Sequence, residues 1–317
     1  MPDYPQTAIQ LRDRFPTEDA CRAYLAGLRW PDGIICPACG SKEVWVKKPP
    51  VNRCARCKHD FTVTSGTLFA DSHKPLRLWF EAIWDISNQK SGASALGLQR
   101  VLGLGSYRTA WNWLHKLRRA MVRPGRDRLS GVVEVDEAFI GGARSGKRGR
   151  GAAGKSLVMI AAQAAGKKIG RIRMVRVADA SAANLLPAIA QSVEPGTMIQ
   201  TDGWRAYGGL KDLGYGHEVI RQTDELGENL LPRINLTVSL LKRWLLGTLQ
   251  GAVRSQHLDY YLDEFTFRFN RRSSKSRGLL FYRLLQHAVV QDPVRGKNLV
   301  GGRTLEYSNH TIEWPGA

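Results

Sequence analysis

The spacing of apolar positions divides the chain into a helical early part and a strand-rich later part. Pro75 to Asn88 places Leu76, Trp79, Phe80, Ile83 and Trp84 three and four residues apart, which predicts an amphipathic helix with a buried stripe. Ser91-Gly92 interrupts the pattern, and a second short helix is expected from Ala93 to Leu102, closed by Gly103. Gly105-Ser106 opens a third, YRTAWNWLHKLRRAM, with Trp111, Leu114 and Leu117 on one side and Arg108, Lys116, Arg118 and Arg119 on others. Helix, short glycine turn and basic helix together make a helix-turn-helix pattern.

Past residue 130 the period changes to two. Gly131 to Gly142 (GVVEVDEAFIGG) predicts a strand with Val133 and Val135 on one face and Glu134 and Asp136 on the other. Strands follow at Ser156 to Gln163 and Gly170 to Val177. A helix at Ala182 to Ser192, capped by Ser181, precedes a strand from Thr197 to Thr201, with Asp202 at its end. A strand at His217 to Gln222 leads into a long apolar helix, INLTVSLLKRWLLGTL. The expected class is α/β. The order βββαβαβα, with a carboxylate inside the first strand and another ending the fourth, is that of an RNase H-like mixed sheet flanked by helices. In such a sheet the two central strands are neighbours, so Asp136 and Asp202 can approach each other.

Charge changes the picture next. Among 317 residues, 47 are Lys or Arg and 28 are Asp or Glu, a net charge of +19. A folded chain this basic meets a polyanion, and nucleic acid is the leading partner. No apolar run approaches the roughly 20 residues of a membrane span. The opening MPDYPQTAIQLRDRF has no apolar signal core, so a cytoplasmic protein with no membrane contact is expected.

Four of the five cysteines form two C-x-x-C knuckles, Cys36–Cys39 and Cys54–Cys57. This spacing brings four thiolates around one tetrahedral zinc, and with no open coordination position the ion is structural. Gly40-Ser41 turns after the first knuckle and Asp60 to Thr64 reads as a strand after the second, a zinc ribbon that would present Lys42, Lys47, Lys48, Arg53, Arg56 and Lys58 to phosphate. Cys21, in a helical pattern upstream, is expected to be a buried, inert thiol.

The stretch GRGAAGKS, Gly149 to Ser156, satisfies the P-loop pattern G-x-x-x-x-G-K-[ST]. A P-loop needs a strand before it and a helix starting at its Lys-Ser. Here a basic coil precedes it and the apolar run LVMIAAQAA follows, so no nucleotide binding is expected. Arg144, Lys147, Arg148, Arg150 and Lys155 of this glycine-rich hairpin are better suited to a nucleic-acid backbone. Two strand carboxylates side by side repel, and divalent cations relieve that repulsion; hard carboxylate oxygens suit Mg2+ or Mn2+. Asp136 and Asp202 are therefore expected to bind metal, in a two-ion site able to act on a phosphodiester.

The blocks VEVDEAFIGG, GRIRM, TDGWRAY, LLKRWLLGT, YLDEFTFRFNRR and SKSRGLLFYRLL, with CPACGS, TSGTLF and SYRTAW before them, resemble the zinc-ribbon DDE transposases of the ISXO-like bacterial insertion-sequence family, over roughly residues 15 to 290. The resemblance implies metal-dependent DNA cleavage and strand transfer by a homo-oligomer acting on the terminal inverted repeats of the element and on target DNA, in the bacterial nucleoid. The third catalytic residue of such enzymes is usually Glu, seven residues before a Lys or Arg. Seven residues before Lys242 stands Asn235, a departure that resembles this branch of the family. Asn supplies one neutral carbonyl oxygen to the metal, Lys242 would grip DNA near the cut, and two helical turns put both on one face. Asn235 also fits a helix cap near Pro232, and Glu264 and Glu137 compete as third ligand.

The run FRFNRRSSKSRG supplies Arg268, Arg271, Arg272, Lys275 and Arg277 for contact to the DNA backbone. The expected domains are an N-terminal helix and zinc ribbon at 1–72, a helix-turn-helix-like DNA-binding segment at 73–128, an RNase H-like catalytic domain at 129–292 and a peripheral tail at 293–317. Two other functions fit the same features: a zinc-ribbon DNA-binding protein without catalytic activity, and a metal-dependent nuclease that does not join strands.

Overall fold

The structure is a computed structural model that describes residues 3–89, 91–123, 125–141, 155–221, 230–251 and 253–301. The chain forms two compact units, one of Met1–Arg123 with Ser274–Gly301 and one built on Pro124–Ser273.

In the first unit, α1 (Ala8–Arg14) and α2 (Glu18–Arg29) precede a three-stranded antiparallel sheet of β1 (Val44–Lys48), β2 (Val51–Cys54) and β3 (Asp60–Phe61), in that order. Thr7 and Thr17 cap the two helices by accepting from the N–H groups of Gln10 and Ala20. Three helices follow: α3 (Leu76–Asn88), α4 (Ala95–Leu102) and α5 (Tyr107–Ala120). The predicted stripe of α3 is buried at Leu76, Trp79, Phe80 and Ile83, with Trp84 half-buried. Trp79 stacks on Trp113 of α5 with ring centroids 3.7 Å apart.

The second unit is a five-stranded mixed sheet: β4 (Val132–Ile140), β5 (Ser156–Ala165), β6 (Lys168–Val177), β7 (Met198–Thr201) and β8 (Gly216–Val219), in the spatial order β6-β5-β4-β7-β8. β5 runs antiparallel to both β4 and β6, whereas β7 runs parallel to β4 and β8 parallel to β7. This is the expected RNase H-like sheet, with the two carboxylate-bearing strands as neighbours.

On one face, α6 (Ala182–Ser192) and a 3-10 helix, Arg205–Leu210, cover Val133, Val135, Met159 and Ile199. On the other, α7 (Pro232–Leu249) and α8 (Leu258–Asn270) cover Ile140, Val158, Ile160 and Ile172. Alternation along β4 thus separates two apolar layers, as a sheet covered on both faces requires.

The chain then returns to the first unit through α9 (Arg277–Ala288) and α10 (Gly296–Val300). Phe281 of α9 is fully buried, and its ring meets those of Phe15, Phe80 and Trp84. The structure therefore groups α9 with the N-terminal helices, whereas the sequence reading attached this segment to the catalytic domain. An apolar helix face carries no mark of which distant core it will join. Among the described residues, no helix is long and apolar enough to cross a membrane.

Candidate active site and zinc centre

Each cysteine knuckle is a tight turn closed by backbone hydrogen bonds. Gly40 N–H donates to the Cys36 carbonyl at 2.9 Å, and Lys58 N–H to the Cys54 carbonyl at 3.1 Å. The residue after each knuckle is left-handed, Gly40 at φ 72° and Lys58 at φ 61°, which turns each loop back under its own sulfurs. The four sulfurs lie within 4.8 Å of one another, with Cys36 to Cys57 and Cys39 to Cys54 both at 3.6 Å. A tetrahedron with metal–sulfur bonds of about 2.3 Å has edges of about 3.8 Å, so the cluster fits Zn2+.

The thiols respond to this crowding in opposite directions. The Cys57 and Arg56 N–H groups hold the Cys54 thiol down, to about 6. Cys57 is itself lowered by the His59 N–H, but burial and the Cys39, Cys36 and Cys54 sulfurs outweigh this and push it up to about 12. Four thiolates cannot share this volume without a cation among them. Cys21 is fully buried, and burial pushes its thiol up to about 12, as expected of an inert core cysteine.

In the second unit, β4 and β7 pair in the register Val132–Met198, Val133–Ile199 and Glu134–Gln200. Carried two residues further, this register would set Asp136 level with Asp202, which follows the last residue of β7. Asp136 is half-buried, and its Oδ1 accepts from the Glu137 N–H at 2.8 Å. Asp202 is exposed, one residue past the end of β7, and its Oδ1 accepts from the Trp204 N–H at 2.9 Å. Gly203 between them has φ 84°, and a Cβ there would stand 2.6 Å from Val219 Cγ1, so the turn after Asp202 requires glycine.

The start of α7 is fastened to the same strand. Glu134, almost wholly buried, accepts from the N–H groups of Arg233 at 2.8 Å and Ile234 at 3.0 Å, and from Arg233 Nη1 at 2.6 Å. This carboxylate satisfies two orphan donors at the helix N-terminus and neutralises the positive end of the helix dipole. It also fixes the height of Asn235, one turn into α7. Asn235 and Lys242 are both exposed and about 10 Å apart along the helix. The cap position belongs to Leu231 with Pro232 as first helical residue, so Asn235 is not the cap that the sequence also allowed.

Residues 128–270 match the ISXO2-like transposase domain, and residues 16–60 match the transposase zinc-ribbon domain. The chain belongs to the ISXO2-like transposase family. It is similar to an uncharacterized protein in transposable element ISH50 of Halobacterium salinarum, 26% identical over 279 residues that cover 80% of this chain and 91% of the relative. It is also similar to an uncharacterized transposase-like protein of Haemophilus influenzae, 27% identical over 122 residues, or 38% of this chain and 98% of that one.

The remaining sequence-predicted residues of the transposase are dispersed. Glu264 is fully buried on α8, and its Oε1 pairs with Arg268 Nη2 at 2.7 Å. The same helix is tied to the edge strand β6 by the ion pair between Arg176 and Asp259 at 2.8 Å and by the Asn270 side chain, which bonds both backbone groups of Ile172. Two strands separate β6 from β7. Glu264 is therefore held at the other side of the sheet from Asp202.

Of the cations on α5, Arg108 is exposed, and Lys116 and Arg119 are half-buried. Arg118 points inward: it is 2% exposed and its Nη2 donates to the Ala93 carbonyl at 3.3 Å, so it holds α5 against the segment before α4 instead of facing DNA. In the ribbon, Lys47 and Arg53 both pair with Asp60, at 2.7 and 2.5 Å, which leaves Lys42, Lys48, Arg56 and Lys58 as its exposed cations without that partner. Arg271 and Arg272 lie over the rings of Phe267 and Phe269 at 4.2 and 4.0 Å, and Lys275 is exposed.

Ser156 opens β5, so the Lys155-Ser156 pair does not start a helix as a P-loop would need. Arg144, Lys147, Arg148 and Arg150 lie outside the described residues. Sequence reasoning missed the role of Glu134. The signal for Glu134 was present in its shared face with Asp136.

Proposed function

We propose that this transposase binds the ends of an insertion sequence and catalyses metal-dependent phosphodiester cleavage and strand transfer on double-stranded DNA. The observation that carries the reading is that β4, which holds Asp136, pairs in parallel with β7, whose end leads into Asp202, and that Glu134 of β4 clamps the start of α7. Asp136 and Asp202 would offer two carboxylates and Asn235 a carbonyl, all hard oxygens that suit Mg2+ or Mn2+. These residues would hold two such ions, which would supply activation of the attacking oxygen and stabilisation of the leaving oxygen.

Asp136 and Asp202 hold the negative charge of the site. Asn235 adds a neutral ligand, and Lys242, two turns along the same helix face, contacts a DNA phosphate beside the cut. The exposed ribbon lysines and Arg56, with Arg108 of α5 and with Lys155, Arg271, Arg272 and Lys275, contact the DNA backbone without reading its sequence. Arg148, which lies outside the described residues, has the same role on the evidence of the sequence. The active species is a homo-oligomer on DNA in the bacterial cytoplasm.

The deciding experiment incubates purified full-length protein with Mn2+ and a labelled element end. Cleaved and joined product is expected from the wild type. Asp136→Asn and Asp202→Asn should abolish both steps while DNA binding survives, and Asn235→Ala should lower activity less than either. Cleavage without joining would make the protein a nuclease. A band shift with no cleavage would make it a catalytically inactive DNA-binding protein.

A further inference from the structure

Close to the two aspartates along the chain lies a pair of residues that the metal-site reading does not use. Tyr207 is wholly buried in the apolar layer under α6, and its hydroxyl donates to Glu137 Oε2 at 2.6 Å. Glu137 follows Asp136 on β4, and Tyr207 closes the TDGWRAY segment that begins beside Asp202. One hydrogen bond therefore links the strand that carries the first aspartate to the loop that carries the second.

The backbone makes no such link at this level. Pairing between β4 and β7 ends at Glu134–Gln200, two residues short of both aspartates. Beyond that row no ladder hydrogen bond sets their separation. Other contacts of the loop tie it elsewhere: Trp204 Nε1 donates to the Ala180 carbonyl at 3.0 Å, and Gly203 packs on Val219 of β8. The Tyr207–Glu137 bond runs back to β4.

A phenylalanine would fill the same apolar space, so the hydroxyl has a separate use. Buried without an acceptor it would cost stability, and its acceptor is a carboxylate, which makes the bond charge-assisted. Burial, the charge of Glu137 and the charges of Asp136 and Asp202 all hold the phenol well above its ordinary range. It therefore remains a donor throughout the pH range in which DNA is stable.

We propose that the Tyr207–Glu137 pair is a positioning strut that sets the separation of Asp136 and Asp202, and through it the affinity of the site for a divalent cation. The proposal rests on the metal-site reading above. Tyr207 and Glu137 act through the aspartates and do not themselves touch metal or DNA.

The test titrates Mn2+ into the full-length protein and follows the free-ion electron paramagnetic resonance signal, with strand cleavage measured in parallel. Tyr207→Phe should keep its zinc and its cooperative unfolding yet bind Mn2+ roughly ten-fold more weakly, the scale on which supporting contacts tune metal sites. Excess Mn2+ should restore its cleavage, which it cannot do for Asp136→Asn. Glu137→Gln still accepts the phenol proton and should stay close to wild type, whereas Glu137→Ala should follow Tyr207→Phe. Wild-type Mn2+ affinity in Tyr207→Phe overturns the strut alone. Loss in Glu137→Gln as deep as in Asp136→Asn also overturns it, because Glu137 would then be a ligand. Wild-type Mn2+ binding in both Asp136→Asn and Asp202→Asn overturns the metal-site reading, and the strut with it.

Discussion

At the scale of single residues, the site is shaped by side chains whose partners decide their chemistry. His217 on β8 is an example. Gly203 N–H donates to Thr201 Oγ1 at 3.2 Å, and Thr201 Oγ1 lies 2.9 Å from His217 Nε2. In the neutral imidazole, Nε2 can pair with this hydroxyl as acceptor or as donor, according to the tautomer. Burial, and then the charge of Lys211, hold the His217 pKa below its ordinary value. The unfolded chain thus binds this proton more readily than the folded one. The contribution of neutral His217 is complete above about pH 6.5 and is lost as pH falls through the folded pKa. Thermal unfolding measured from pH 8 to pH 5 should show a stability decline that His217→Gln reduces. Because Thr201 adjoins Asp202, cleavage should fall over the same window. A pH dependence identical in the variant would remove His217 from the account.

At the scale of elements, the feature that matters most is how α7 is fastened. The apolar stripe Ile234, Thr237, Leu241 and Leu245 predicts that α7 lies on the sheet but leaves its height undetermined, since a helix can slide along an apolar face. Glu134 removes that freedom by accepting three hydrogen bonds from the first turn. Removing one partner of a buried ion pair leaves the other uncompensated and costs about 3–5 kcal/mol; with Arg233 partly exposed, the lower end applies. Denaturant unfolding of Glu134→Ala should show a loss of about 3 kcal/mol in the second unit. Asp136→Asn, on the same strand face, should leave stability near wild type while abolishing cleavage. Loss of activity with little loss of stability separates a ligand from a clamp.

At the scale of the whole molecule, the transposase has two units with different dependences on metal. The ribbon has only short strands and a small apolar centre at Phe61, Trp30 and Val63, and it is tied to α2 by Arg29 Nη1, which donates to the Val63 carbonyl at 2.7 Å. Metal binding and folding are coupled in such a module. Cys36→Ser should therefore release about one zinc per chain, measured by a colorimetric chelator, and unfold the ribbon. The second unit buries two separate apolar layers around its sheet and should keep its own unfolding transition. A single transition that disappears with the zinc would contradict independent folding of the second unit. DNA affinity should fall with the ribbon, because Arg56 and Lys58 are carried on a turn that the metal closes and Lys42 follows the other.

What the sequence determined by itself is local or periodic. Cysteine spacing specified the zinc ligands, because two knuckles position their own sulfurs before any long-range contact forms. Alternation along β4 placed Glu134 and Asp136 on one face, and the predicted α6 matches the observed bounds. The order of strands and helices identified the RNase H-like sheet, and the motif blocks identified the transposase family. The partners of charged side chains were decided by tertiary structure alone. Arg118 reads as surface charge on a basic helix, yet the packing of α5 turns it inward to a carbonyl on a distant turn. Glu264 reads as a third acid, yet α8 lies over β6 and commits it to Arg268. Tyr207 and Glu137 meet across 70 residues, and α9 crosses back to a core built by the first part of the chain. Periodicity records which face of an element is apolar. Which other element covers that face, and which charge meets which, depends on contacts between residues far apart in the chain, and only the folded arrangement decides them.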